Sequence, residues 1–249
     1  MDPAGRKVLV TGASRGIGRA TALLLAQEGA DIAINYASNE AAAREVEEEV
    51  RAIGRRALVL QADVAEAEQV DAIFRRIQAE WGGLDVLVNN AGGRCDGTLL
   101  AVEESAWERA LAVHLMGTVR CCRLALPVMI EKRDGVIVNV GSVAGLRGVR
   151  NVAAYGTVKA AVMHLTRCLA LEVGEHNVRV NCVAPGLIDT DFHSVTPPEF
   201  IRHSIDNRIP LHRVGRPEDV AQAVLYLIKN DYVTGEVVMV DGGLTMRIA

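Results

Sequence analysis

Tyr155-Gly-Thr-Val-Lys159 stands thirteen residues after Ser142. A tyrosine and a lysine four apart on a helix share one face, one turn apart. A lysine ammonium held near a phenol favours the phenolate. A group with a free pKa of ~10 then becomes a usable proton donor and acceptor closer to neutrality. Such a pair alone is common on helix surfaces, and its value here comes from what lies upstream.

Upstream, Val8-Leu-Val-Thr-Gly12-Ala-Ser14-Arg15-Gly16-Ile17-Gly18 joins an apolar run to a helical pattern. Glycines let the backbone turn sharply and approach a pyrophosphate, which sits at the positive N-terminus of the following helix. Three glycines in a loop are weak evidence, but strand, turn and helix occur here in the required order. The Gly-x-x-x-Gly-x-Gly spacing is wider than the usual dinucleotide fingerprint. Where an enzyme specific for NAD(H) places a carboxylate on the ribose hydroxyls, at the end of the second strand, this chain has Asn35-Tyr36-Ala-Ser38. Arg15 can meet a 2′-phosphate bidentately, or be a plain solvated arginine. The preferred cofactor is therefore NADP(H), with NAD(H) as the alternative.

The elements that must position these groups alternate along the chain. Strands are expected at Lys7–Val10, Asp31–Asn35, Ala57–Gln61, Leu84–Val88, Val136–Val140, Arg179–Val183 and Val237–Val240. Helices are expected near 16–28, 39–53, 66–80, 103–130, 153–174 and 217–229. Several strands are apolar nearly throughout, as parallel strands covered on both faces are. The alternation predicts βαβ units in an α/β, doubly wound sheet. With no composition break, residues 1–249 read as a single domain. Glu47 and Arg51 lie on the solvated side of the second helix, where they can pair. Residues 187–214, with Pro197-Pro198, several histidines, Arg202, Arg208 and Arg213, interrupt the pattern and read as a substrate lid.

Composition narrows the class. The 249 residues are half hydrophobic, with net charge −4. No basic, aromatic-interleaved stretch suggests nucleic acid, and no apolar run approaches the ~18 residues of a membrane span. The five cysteines (95, 121, 122, 168 and 182) have no metal-ligand spacing and read as buried thiols of a reducing compartment. No signal-peptide core follows Met1. A soluble cytoplasmic protein without a metal site is expected.

Gly12-x-x-x-Gly16-x-Gly18, Asp63-Val64, Asn89-Asn90-Ala91-Gly92, Ser142, Tyr155-x-x-x-Lys159 and Pro185-Gly186-Leu-Ile188-Asp-Thr190 occur in that order. Over its whole length the chain resembles the short-chain dehydrogenases/reductases. The resemblance implies a Rossmann-type fold of seven mainly parallel strands and a homotetramer. It implies that Asp63 bonds the adenine amino group, with Val64 beside it. Asn90-Ala91-Gly92 would line the adenine ribose and steady the central sheet, and Pro185, Gly186, Ile188 and Thr190 would flank the nicotinamide. Tyr155 would donate the proton, Lys159 would hold the nicotinamide ribose and depress the tyrosine pKa, and Ser142 would bond the reacting oxygen. Reducing a ketone builds negative charge on oxygen, which donors at Ser142 and Tyr155 suit. One position departs from the family: His114 stands where an asparagine usually kinks its helix and anchors a water next to the lysine. A histidine is larger and titrates near neutrality. It either supports the proton relay differently or fills the site.

Within the family the chain is most similar to the 3-oxoacyl-[acyl-carrier-protein] reductases, through Asn-Asn-Ala-Gly-x-x-x-Asp96-x-x-Leu-Leu100, Ile209-Pro-Leu-x-Arg213-x-Gly-x-Pro-Glu-Asp219 and Tyr232-Val-Thr-Gly…Val-Asp-Gly-Gly243. These stretches also occur in sugar, polyol and alcohol dehydrogenases. An acidic carrier protein calls for arginines. Arg133 fits the first expected position, whereas the second falls on Glu175-His176. The expected activity is NADP(H)-dependent reduction of a carbonyl, with 3-oxoacyl thioesters first. A sugar or polyol dehydrogenase is the alternative, and a non-catalytic NADP(H)-binding sensor the remote one.

Overall fold

The computed structural model describes residues 1–246. The β-branched runs form seven parallel strands: β1 (Lys7–Val10), β2 (Asp31–Tyr36), β3 (Ala57–Gln61), β4 (Val86–Asn89), β5 (Gly135–Val140), β6 (Val178–Pro185) and β7 (Val237–Val240). Their order across the sheet is β3-β2-β1-β4-β5-β6-β7, and every neighbouring pair is parallel. Eight α-helices accompany them among the described residues: α1 (Gly16–Gln27), α2 (Glu40–Ala52), α3 (Ala67–Trp81), α4 (Glu104–Ala110), α5 (Gly117–Lys132), α6 (Ala153–Val173), α7 (Pro198–Asn207) and α8 (Pro217–Lys229).

Alternation along β1 divides the core. Val8 and Val10 pack with Ala22 and Leu25 of α1 and with Val220 and Val224 of α8, whereas Leu9 packs on the other face with Ile73 of α3 and Met129 of α5. Both faces are thus sealed, which is why the strands read as unbroken apolar runs. Strand order reverses at β1: Val10 lies beside Ile34 of β2 on one side and Val88 of β4 on the other. The carboxyl ends of β1 and β4 therefore flank the crevice where doubly wound sheets bind ligands.

Several interior polar groups pair with one another, as burial demands. Asn89 Nδ2 donates to Asn139 Oδ1 at 2.9 Å, and Asn139 Nδ2 donates to Thr166 Oγ1 at 2.9 Å. Arg179, on β6, donates to the carbonyls of Leu227, Ile228 and Val233 at 2.7–3.0 Å, so it satisfies the last turn of α8.

Several local expectations are corrected. The helix expected at 103–130 is broken: Leu111–Met116 forms a π-helical turn between α4 and α5, with His114 inside it. The 29-residue stretch Glu104–Lys132 has the length and mean hydropathy of a membrane span. Arg120 and Arg123 interrupt it, and Cys121, Ala125 and Met129 are buried against the sheet. Glu47 does pair with Arg51, at 2.6 Å, but it is buried rather than solvated and also accepts from Arg44 at 2.8 Å. Four cysteines are buried, but Cys168 is half-exposed.

Candidate active site

A cavity of about 1080 Å³ opens at the switch point. Its floor is the turn after β1. Gly12 and Gly16 have φ of +63° and +54°, conformations that side-chain-bearing residues rarely adopt. A Cβ on Gly18 would lie 2.3 Å from the Gly12 carbonyl oxygen and 2.5 Å from Asn90 Nδ2, so only glycine lets α1 start this close to the turn. Asn90 Nδ2 donates to the carbonyls of Thr11 and Gly12 at 2.9 and 3.1 Å, and Asn35 Oδ1 accepts from the Gly12 amide at 3.2 Å. Two asparagines, one in β2 and one just after β4, thus clamp the turn. Cavity-lining Ser14, Arg15, Gly16 and Ile17 surround the N-terminus of α1, a place suited to a pyrophosphate. The residues fit a dinucleotide.

The adenine end differs from expectation. Asn35 lines the cavity, but its side chain is spent on the Gly12 amide and on the carbonyls of Leu60 and Ala62. Tyr36 is buried, and burial followed by the charge of Glu40 raises its phenol pKa. Ser38 and Arg15 are exposed on the rim, and Arg15 reaches Asp191 Oδ2 at 3.5 Å. Asp63 already has both carboxylate oxygens engaged, by the Ala65 amide at 3.0 Å and by Arg109 at 2.6 Å. Val64 is buried beside it, against Gly117. Arg109 had no signal in the sequence, because it is brought there only by the approach of α4 to the end of β3.

At the other end, Ser142 follows β5, and Tyr155 and Lys159 lie one turn apart on α6. Ala91, Gly92, Pro185, Gly186, Ile188 and Thr190 line the same cavity. Ser142 Oγ accepts from the Ala144 amide at 3.1 Å, and its hydroxyl lies near enough to the Tyr155 phenol to favour the phenolate. Lys159 is buried, donates from Nζ to Val140 O at 2.7 Å, and lies 5.7 Å from the Tyr155 ring centroid. Burial lowers its ammonium pKa to about 8. The expected lowering of the phenol is not produced by the chain's own groups. Burial pushes Tyr155 up to about 12, against the Ser142 hydrogen bond and the charge of Arg94.

His114 packs edge-on against Tyr155, with ring centroids 5.4 Å apart. Its Nε2 lies 3.0 Å from Gly93 O and 3.4 Å from Gly93 N, and its Nδ1 is buried without a partner among the described residues. Burial, then the charge of Lys159, lower its pKa to about 3. The expected titration near neutrality is therefore corrected: desolvation in the π turn keeps the imidazole uncharged.

From residues 187–214, Phe192, His193, Thr196, Phe200 and Arg208 line the cavity, whereas Arg213 is held by Asp219 at 2.7 Å. Arg133 donates to Glu175 O at 2.8 Å, which puts the two expected carrier-docking positions side by side. Among the described residues no group of three or more His, Cys, Asp or Glu side chains is placed to hold a metal.

Fold and site together define an α/β oxidoreductase built around a dinucleotide. A family model described as enoyl-(acyl carrier protein) reductase matches residues 12–245. The chain is 40% identical over 243 residues to a 3-oxoacyl-[acyl-carrier-protein] reductase of Staphylococcus aureus, covering 97% of this chain and 98% of that protein. It is 40% identical to carbonyl reductase family member 4 of Xenopus laevis over 239 residues, 96% of this chain and 98% of that one. The crystal structure of acetoin dehydrogenase from Enterobacter cloacae superposes with a TM-score of 0.88 at 35% identity, covering 97% of this chain and 96% of that one. The protein belongs to the short-chain dehydrogenase/reductase family, and it is a nicotinamide-dependent oxidoreductase.

Proposed function

We propose that the protein reduces 3-oxoacyl thioesters with NADPH. The observation that carries this reading is the meeting of Ser142, Tyr155 and Lys159 in the cavity whose other end is the glycine turn. NADP(H) would be held by the turn from Gly12 to Gly18, by Arg15 and Ser38 at the 2′-phosphate, and by Pro185, Gly186, Ile188 and Thr190 at the nicotinamide. When bound, it supplies the hydride. The chain's own residues do the rest. Ser142 and Tyr155 donate to the carbonyl oxygen as negative charge builds on it. Tyr155 then gives up its proton. Lys159, whose ammonium has a pKa of about 8, is the adjacent cation that stabilises the phenolate left behind until a proton from solvent restores the phenol.

The S. aureus relative is named for an acyl-carrier-protein substrate, and Arg133 offers the cation such a carrier would need. Assembly as a homotetramer and a cytoplasmic location belong to the same reading, as do a single catalytic domain and a lid over 187–214. The test is kcat/KM for NADPH oxidation with a short 3-oxoacyl thioester against kcat/KM for NADP⁺ reduction with polyols and sugars. A thioester preference supports the reading. A polyol preference makes the protein a sugar or polyol dehydrogenase, and tight NADPH binding without turnover makes it a sensor.

A further inference from the structure

The loop after β4 carries an arginine, Arg94, that bridges its own loop and the segment 187–214. Arg94 Nε donates to Asp96 Oδ2 at 2.5 Å, and Nη1 donates to Phe192 O at 2.7 Å and to Thr196 Oγ1 at 3.1 Å. The guanidinium also lies 5.3 Å from the Phe192 ring centroid, within cation–π range. The base of this contact is fixed. The Gly97 amide donates to Asn151 O at 2.7 Å just before α6, and buried Cys95 bonds Ala106 O. The far end of the same lid turn, Asp191–His193, is reached by Arg15.

The consequence falls on Tyr155. Phe192 is half-buried, and its ring centroid lies 5.6 Å from that of Tyr155, tilted by 48°. The charges of Arg94 and Asp96 act on the phenol in opposite senses, and the group the latch places in contact with it is the Phe192 ring. Val149, Phe200 and Leu244 also line the cavity.

We infer that Arg94 is a specificity-determining positioning residue: it holds Phe192 against Tyr155, so that the carbonyl site admits unbranched acyl or alkyl chains and rejects branching next to the carbonyl. The inference rests on the reduction proposed above and names the substrate shape. One methyl group in a closed apolar pocket discriminates by roughly 10- to 200-fold.

The experiment measures kcat/KM for NADPH oxidation with 3-oxobutanoyl and 2-methyl-3-oxobutanoyl thioesters, and in parallel with butanone and 3-methylbutanone. The wild type favours the unbranched member of each pair by ~10-fold or more. In Arg94→Gln the preference collapses toward unity, chiefly through KM of the branched substrate, and Arg94→Lys restores part of it. Phe192→Ala has the same effect, and combining it with Arg94→Gln adds nothing further, as for two residues acting as one unit. A merely structural role for Arg94 would lower both substrates equally. A preference kept within about two-fold in a folded Arg94→Gln protein overturns the inference. Should Arg94→Gln fail to fold, Phe192→Ala decides the question by the same comparison. Absence of thioester reduction in the wild type would refute the proposed substrate instead, and the ketone pair would still decide on Arg94.

Discussion

Gly92→Ala tests the packing that ties the turn after β4 to the proposed proton donor. A Cβ at Gly92 would lie 2.5 Å from His114 Cε1 and 2.8 Å from Nδ1. The imidazole has little room to yield, since Gly93 O lies 3.0 Å from Nε2 on one side and the Tyr155 ring packs edge-on against it. Overpacking of this kind costs about 1–3 kcal/mol. At ~2–4 °C per kcal/mol for a chain of this size, melting should fall by roughly 2–12 °C. Displacing His114 also displaces Tyr155, and a 1 Å misplacement of a reacting group costs on the order of 10²-fold in rate. In a His114→Ala background the added methyl has space, so Gly92→Ala should cost close to nothing there. The assay is a double-mutant cycle read by melting temperature and by NADPH oxidation. A coupling of about 0.5–3 kcal/mol is expected. Equal costs of Gly92→Ala in both backgrounds would refute the packing argument.

Other perturbations follow from the same geometry. Arg15→Gln should raise KM for NADPH by tenfold or more, on the order of the ~1.5–3 kcal/mol of a charge-assisted bond, while leaving KM for NADH nearly unchanged; equal shifts would sink the 2′-phosphate assignment. The reduction rate should fall as pH rises through about 8, where the Lys159 ammonium loses its proton. His114, with its pKa near 3, should add no limb between about pH 5 and 9, so His114→Asn should leave the shape of that profile unchanged. A new limb near neutrality in the wild type, absent from His114→Asn, would show that the imidazole titrates in the relay after all. At the start of β2, burial raises the Asp31 pKa, but hydrogen bonds and charges from Arg56 and Arg55 outweigh it and hold the carboxyl below its usual range. The stability this contributes is present above the unfolded carboxylate pKa of ~3.9 and is lost as pH falls through the lower folded value. Asp31→Asn should therefore melt lower at neutral pH and lose less on acidification.

Strand–helix alternation made the sheet legible from the sequence, because parallel strands buried on both faces must be apolar at every position. The strands Lys7–Val10, Ala57–Gln61 and Val237–Val240 match the expected bounds, and β6 runs on to Pro185 because its pairing with β7 extends that far. The site residues that share a short stretch, such as Tyr155 with Lys159 or Gly12 with Gly18, could be seen as groups. What could not be seen depends on tertiary approach. Asn35 and Asn90 looked like cofactor contacts but spend their side chains on the glycine turn, as only the packing of β2 and β4 around β1 reveals. Arg94 and Arg109 meet Phe192 and Asp63 across 98 and 46 residues, separations no local pattern encodes. The neutrality of His114 comes from burial in a π turn, and a turn of that kind leaves no period in the sequence.

The central claim is that Tyr155, beside Ser142 and Lys159, protonates a carbonyl reduced by NADPH. The most direct measurement is single-turnover NADPH oxidation with a 3-oxobutanoyl thioester by wild type and Tyr155→Phe, with NADPH binding followed by fluorescence in both. General acid catalysis is worth about 10²–10⁴-fold, so the variant should bind NADPH as tightly as wild type and lose at least that factor in rate. A Tyr155→Phe protein that turns over within a few-fold of wild type would contradict the account.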